Sequence, residues 1–171
     1  MTRAFASMLG AERGRIGAPG RIVNISSVGG RIAAPFLGGY VASKHALEGM
    51  SASLRRELML YGIDVIVVGP GSVVTSIWDK AEAQDVSAYA GSDYFKALGA
   101  FQSEFIRRGR QGYPPARVAQ VVLEALTARQ PRTRYAVVRN RFVNWTLPLI
   151  LPSRIVDRLI ARQLGLGRER Q

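Results

Sequence analysis

Three side chains in this sequence have the types and spacing for proton chemistry: Ser27, Tyr40 and Lys44. Tyr40 and Lys44 stand four residues apart at the start of a predicted helix. That spacing sets them on one helical face, about 5–6 Å apart at Cβ. A phenol beside an ammonium is useful because the cation favours the phenolate, so the oxygen can give and take a proton. Ser27 ends the apolar run Ile22-Val23-Asn24-Ile25-Ser26-Ser27 and offers a hydroxyl at a strand end. Alternation along a strand turns the neighbouring Ser26 to the opposite face. His45 adjoins Lys44 but lies about 100° around the helix from it and is given no catalytic role. Each residue also has an ordinary reading: Ser27 caps a loop, and Tyr40 is a partly buried helix residue. Their joint arrangement is what points to catalysis.

The elements that must position this set follow from periodicity. Residues 2–9 read as the closing turns of an amphipathic helix with Phe5, Met8 and Leu9 on one side. Residues 10–21 hold glycines at 10, 14, 17 and 20. They follow no strand and open no helix, so they read as a surface connection and not as a phosphate cradle. Residues 21–27 suit a short strand buried on both faces. A glycine-containing loop leads to a helix over 39–60, with Ala42, Ala46, Leu47, Met50, Leu54 and Leu58 inward and Glu48, Arg55, Arg56 and Glu57 outward. Gly62 sits where a left-handed helix cap is expected. Ile63 to Gly69, I-D-V-I-V-V-G, is the strongest strand signal in the chain. Strand, helix and strand predict a right-handed crossover unit in a parallel sheet.

Pro70-Gly71 closes the second strand and Ser72-Val73-Val74-Thr75 leads away from it. Residues 77–112 are loosely helical and carry Trp78, Tyr89, Tyr94, Phe95, Phe101 and Phe105. A stretch of this length suits a substrate-binding lid; an ordinary helical hairpin is the alternative. A helix from Pro114-Pro115 to about Arg129 turns Val118, Val121, Val122, Ala125 and Leu126 inward, and residues 134–138 form a third strand. The tail, 142–171, holds F-V-N-W-T-L-P-L-I-L-P and then a helix over 153–164. That helix sets Ile155, Val156, Leu159 and Ile160 against Arg154, Arg158 and Arg162. The expected fold is α/β: one domain over 1–171, a Rossmann-like parallel sheet of about three strands with flanking helices.

Composition narrows the function. The 171 residues carry 24 Lys and Arg against 12 Asp and Glu, a formal net charge of +12, with a single His and no Cys. Disulfides, thiolate chemistry and zinc–cysteine sites are excluded, and no metal site is expected. Nine of the 21 arginines fall between Arg132 and Arg170. They are not interleaved with stacking aromatics and match no nucleic-acid-binding motif, so a solvated basic surface is expected, with no nucleic-acid partner. The start has too short an apolar stretch for a signal peptide, and no window reaches the ~20 apolar residues of a membrane span. A cytoplasmic protein is the expectation.

R-I-V-N-I-S-S, then Tyr-x-x-x-Lys with the tyrosine thirteen residues after Ser27, then a strand ending in P-G-x-V-x-T, resemble the short-chain dehydrogenases/reductases. The tail T-R-Y-A-V-V…L-P…D-R-L-I is similar to the retinol and hydroxysteroid branch. The resemblance implies an NAD(P)-dependent oxidoreductase interconverting an alcohol and a ketone or aldehyde. In it Tyr40 is the general acid/base, Ser27 holds the substrate oxygen, and Lys44 also binds the nicotinamide ribose. Pro70, Gly71, Val73 and Thr75 line the nicotinamide, with the Val73 backbone and Thr75 on its carboxamide. NAD and NADP are not distinguished.

The family's opening strand-T-G-x-x-x-G-I-G-helix and its N-N-A-G strand are not found in these residues. The expectation is a carboxy-terminal half to two-thirds of such an enzyme, from a truncated gene model or an internal start at Met1. Such a chain is expected to be inactive alone, with no site for the adenosine half of the cofactor. The aromatics and apolar tail suggest a bulky apolar substrate. The family also implies a homo-oligomer through the Tyr40–Lys44 helix. Two alternatives stay open: a non-catalytic remnant that associates through its helices, and peripheral membrane contact by the basic amphipathic tail.

Overall fold

A computed structural model describes residues 2–14 and 16–167. The last four tail residues, with Arg168 and Arg170, lie outside the described residues. The chain divides into two compact units, Met1–Gly71 with Ala116–Val137, and Ser72–Pro115 with Val138–Gln171.

The first unit is built on a three-stranded parallel sheet ordered β1-β2-β3, with β1 at Arg21–Ile25, β2 at Asp64–Pro70 and β3 at Arg134–Val137. In β2, Val65, Ile66, Val67 and Val68 are all buried. A continuous apolar run of this kind is what a parallel strand covered on both faces requires. The helix α1 (Thr2–Phe5) precedes β1, α2 (Gly38–Leu58) joins β1 to β2, and α5 (Pro115–Thr127) leads to β3. A 3₁₀ turn, Met59–Tyr61, follows α2 and ends at Gly62 with φ 69°, the left-handed cap expected of that glycine. Leu58, Ile63 and Val65 form a buried cluster that Leu9, Ala11, Ile22, Leu54 and Tyr61 complete.

Several expected inward positions are corrected by the fold. On α2, Met50 is 55% exposed, while the neighbouring Ser51 is fully buried. The Ser51 hydroxyl donates to the Leu47 carbonyl (2.6 Å) and accepts from Asn24 Nδ2 (2.9 Å), so a polar pair holds the helix to β1. Phe5, Met8 and Leu126 are also exposed. The α5 face turned inward is that of Val121 and Ala125, and Arg21 Nη1 donates to the carbonyls of Ala125 and Leu126 at the helix end. β1 stops at Ile25, two residues short of the expected end, because Ser27 caps a 3₁₀ turn over Val28–Gly30.

The second unit contains α3 (Ile77–Glu82), α4 (Phe95–Arg110), α6 (Leu147–Ile150) and α7 (Ser153–Leu164), with a π-helical turn at Phe142–Thr146 before α6. Trp78 is buried and packs edge-on against Phe105, which stacks on Phe101. A Cβ on Gly109 would overlap the Trp78 indole, so the glycine makes room for the ring. Three aromatics of the 77–112 segment thus form its own small core, whereas Tyr89, Tyr94 and Phe95 are exposed. On α7, Leu164 is buried and Val156 and Ile160 are half-buried, while Ile155 and Leu159 are exposed. This corrects the expected inward stripe. Arg139 is not simply solvated: its guanidinium lies 5.1 Å from the Tyr113 ring centroid and donates to the Gly112 carbonyl. No described helix is long and apolar enough to cross a membrane.

Candidate active site

Ser27 sits where β1 gives way to the 3₁₀ turn, and α2 begins beyond that loop with Tyr40 in its first turn. Ser27 is 8% exposed and its Oγ accepts the Gly29 amide at 3.1 Å. The expected loop-capping role is therefore real, and it leaves the hydroxyl proton for another acceptor. A Cβ built on Gly29 would lie 3.1 Å from Tyr40 Cε1 and 3.5 Å from Ser27 Oγ. The phenol ring and the serine hydroxyl thus flank one small space, and Gly29 is what leaves it open.

Lys44 follows Tyr40 by one helical turn. Its Nζ donates to the Ile25 carbonyl at 3.4 Å and lies 5.9 Å from the Tyr40 ring centroid. The bond to the last residue of β1 ties the ammonium to the strand end that also carries Ser27. Tyr40 is 46% exposed, so its face is open to a ligand. His45 Nδ1 is paired with the Val41 carbonyl, within its own helix and apart from this set.

Pro70 ends β2, and the Gly71 amide donates to the Val137 carbonyl at 3.0 Å. Val73 and Thr75 belong to the second unit. Val73 pairs with Tyr113, its carbonyl accepts Trp78 Nε1 at 2.7 Å, and Thr75 is exposed. The Lys44 ammonium beside the end of β1 and the accessible Tyr40 phenol in the first turn of α2 form a donor set that would fit the ribose hydroxyls of a nicotinamide nucleotide. No described group of His, Cys, Asp and Glu could hold a metal ion.

Two charged residues near Ser27 escape a reading of periodicity. Glu48 is not on an outward face, and Arg134 is not part of a solvated surface: their side chains are 10% and 15% exposed and pair at 2.9 Å. The signal for Glu48 is its place in the stripe Tyr40, Lys44, Glu48 at four-residue steps. Nothing local marks Arg134 as its partner. Phe36, in the loop before Tyr40, has φ 63°, a left-handed conformation unusual for a bulky residue.

A short chain dehydrogenase family model matches residues 1–86. The chain is 32% identical over 164 residues to the NADPH-dependent 3-dehydrocapnine reductase of Ornithobacterium rhinotracheale, covering 96% of this chain and 57% of that protein. It is 34% identical over 154 residues to mouse retinol dehydrogenase 5, covering 84% and 48%. Among solved structures, a short-chain dehydrogenase from Streptomyces avermitilis superposes with a TM-score of 0.63 at 25% identity, over 98% of this chain and 57% of that one. This chain belongs to the short-chain dehydrogenases, a family of oxidoreductases with a Rossmann-like fold. It spans about half the length of the curated relatives it matches.

Proposed function

We propose that this chain carries the proton-transfer centre of an NAD(P)-dependent oxidoreductase that interconverts an alcohol and a ketone or aldehyde. What supports this is the space above Gly29, flanked by the Tyr40 ring and the Ser27 hydroxyl, with the Lys44 ammonium beside the ring. When bound, the nicotinamide supplies or takes up the hydride at the substrate carbon. The chain's own residues handle the oxygen. In reduction, Tyr40 gives its proton to the carbonyl oxygen while Ser27 donates a hydrogen bond to the same atom, offsetting the negative charge that develops there. In oxidation the phenolate takes the hydroxyl proton. Lys44, with Tyr40, would hold the ribose. Accepting the Gly29 amide polarises the Ser27 hydroxyl and makes it a better donor. Pro70, Gly71, Val73 and Thr75 are assigned to the nicotinamide by resemblance alone.

The substrate class proposed is bulky and apolar, supported by a relative named for retinol. Rates with NADH, NADPH and their oxidised forms on a panel of apolar and sugar-like alcohols test it; preference for the polar set overturns it. The residues contain no T-G-x-x-x-G-I-G turn, so cofactor binding by the 171 residues alone is expected to be weak. The panel is therefore run at millimolar cofactor.

A second copy is the proposed protein partner, docking along α2, where Met50 is exposed. Gly49 lies on this helix, and a Cβ added to it would meet nothing within 4 Å. For a monomer, Gly49→Ala therefore raises stability by about 0.5–1 kcal/mol. A tight helix–helix contact reverses that sign and lowers the dimer fraction in light scattering. Unchanged mass at every concentration, together with the stabilising sign, rules the dimer out. The exposure of Phe142, Val143, Ile150, Ile155 and Leu159, next to Arg154, Arg158 and Arg162, supports a second reading, peripheral membrane contact. Co-sedimentation with anionic but not neutral vesicles is its expected result, and absence from both pellets rejects it.

A further inference from the structure

Arg134 is the first residue of β3, in register with Val67 of β2. Its guanidinium reaches along the sheet to Glu48 of α2 with three hydrogen bonds: Nε to Oε1 (3.1 Å), Nε to Oε2 (3.0 Å) and Nη2 to Oε1 (2.9 Å). The same Nη2 donates to the Ser27 carbonyl at 3.1 Å. Two glycines make the passage. A Cβ on Gly69 would overlap Nη2 and lie 2.9 Å from Cζ, and a Cβ on Gly30 would lie 2.8 Å from Glu48 Cγ. Neither glycine has a positive φ, so what each supplies is room and not an unusual backbone shape.

The Ser27 carbonyl accepts from two directions, from Arg134 and from the Gly30 amide at 3.1 Å, while Ser27 Oγ accepts from Gly29. Both lone pairs of the carbonyl are thereby engaged, which fixes the peptide plane after Ser27 and the direction in which its side chain leaves the backbone. A buried ion pair is a poor device for stability alone, because a well-packed apolar pair of similar volume does as well or better. What apolar residues cannot do is donate to a carbonyl. We infer that Arg134, aimed by Glu48, is a positioning residue that holds Ser27 against Tyr40; its bearing on turnover rests on the function proposed above. Lysine is no substitute, because one ammonium cannot fork between a carboxylate and a carbonyl with the same geometry.

The test compares the full chain with Arg134→Lys, with the apolar pair Glu48→Leu/Arg134→Met, and with Gly69→Ala, which keeps every donor but closes the passage. Amide hydrogen exchange at Gly29 and Gly30, both bonded to Ser27, is read by NMR alongside the amides of Val65–Val68. Exchange at Gly29 and Gly30 is expected to quicken about tenfold in all three variants while the β2 amides keep their protection. Wild-type exchange at Gly29 and Gly30 in the folded apolar-pair variant overturns the inference, whatever the turnover. Faster exchange with unchanged kcat supports the positioning and counts instead against a catalytic role for Ser27. Where both readings hold, kcat falls with KM little changed, since the interaction lost is made in the transition state.

Discussion

Tyr40→Phe should lower turnover of the preferred alcohol–carbonyl pair by about 100- to 10,000-fold, the range a positioned general acid/base contributes. The substitution removes one oxygen and keeps the ring. The ring carries the packing against the Gly29 turn and lies beside Lys44 Nζ, so the fold and the cation's place should survive. Melting temperature is expected to move little, because Tyr40 is 46% exposed and its hydroxyl holds no core element. Cofactor affinity, followed by nicotinamide fluorescence, should fall far less than kcat. The measurement is made at millimolar cofactor, or on this chain joined to the amino-terminal half of a relative if the chain alone turns over too slowly. A Phe variant that keeps a tenth or more of the rate would remove Tyr40 from the mechanism and with it the proposed chemistry. A variant that melts much earlier would show instead that the phenol is structural.

Local periods govern what is legible in the sequence. Within β2, Val65 to Val68 are apolar at every position because both faces are covered, and the structure buries all four accordingly. The Tyr40–Lys44 pair needs only the helical repeat, and Gly62 only the chemistry of a helix end. Ser27 is legible as the polar residue that follows the apolar run, and the structure makes it the cap of the turn beyond β1. Where local rules mislead, the cause is a neighbour distant in sequence. Met50 and Ser51 are adjacent, and hydrophobicity alone turns the methionine inward. Asn24 in β1 gives Ser51 a hydrogen-bonding partner, so the serine is the buried one. On α7 the half-buried and buried residues Val156, Ile160 and Leu164 recur every four residues. The branched residues Ile155 and Leu159 compete for the same periodicity one position back. They stay exposed, while α7 packs against α4.

The Arg134–Glu48 pair is the clearest case of what the sequence does not disclose. The two residues lie 86 positions apart, and the sequence shows only one acid on a helix and one base at the start of a short strand. Their meeting depends on the register of β3 against β2, which sets Arg134 opposite Val67 and two residues from the bare backbone of Gly69. Burial of charge is tolerated there because the guanidinium and carboxylate satisfy each other and a backbone carbonyl as well. The glycines are equally silent. Gly29, Gly30 and Gly69 look like loop and strand punctuation, yet each is a place where a side chain from another element needs the volume of a Cβ.

Gly112→Ala tests the same principle in the second unit, with a large expected loss. A Cβ there would overlap the carbonyl of Ser72 and lie 2.8 Å from the amide nitrogen of Val73. These are backbone atoms and cannot swing aside as the end of a flexible side chain can. They are also tied down: Tyr113 N donates to Ser72 O at 3.0 Å, Val74 N donates to Tyr113 O at 2.9 Å, and Trp78 Nε1 donates to Val73 O. Relief of the overlap therefore breaks hydrogen bonds instead of moving a rotamer. The expected destabilisation is about 3 kcal/mol, the upper end for overpacking, read as a lower urea midpoint with the slope unchanged. Gly99→Ala is the control within the same unit. It lies in α4 with nothing within 4 Å of its Cβ position, so it should be neutral or stabilise by about 0.5–1 kcal/mol through helix propensity. Because Val73 is the residue assigned by resemblance to the nicotinamide carboxamide, Gly112→Ala should weaken cofactor binding as well, and Gly99→Ala should not. Equal stability of the two alanine variants would show that the 72–74 segment yields freely, and a yielding segment could not hold a carboxamide in place.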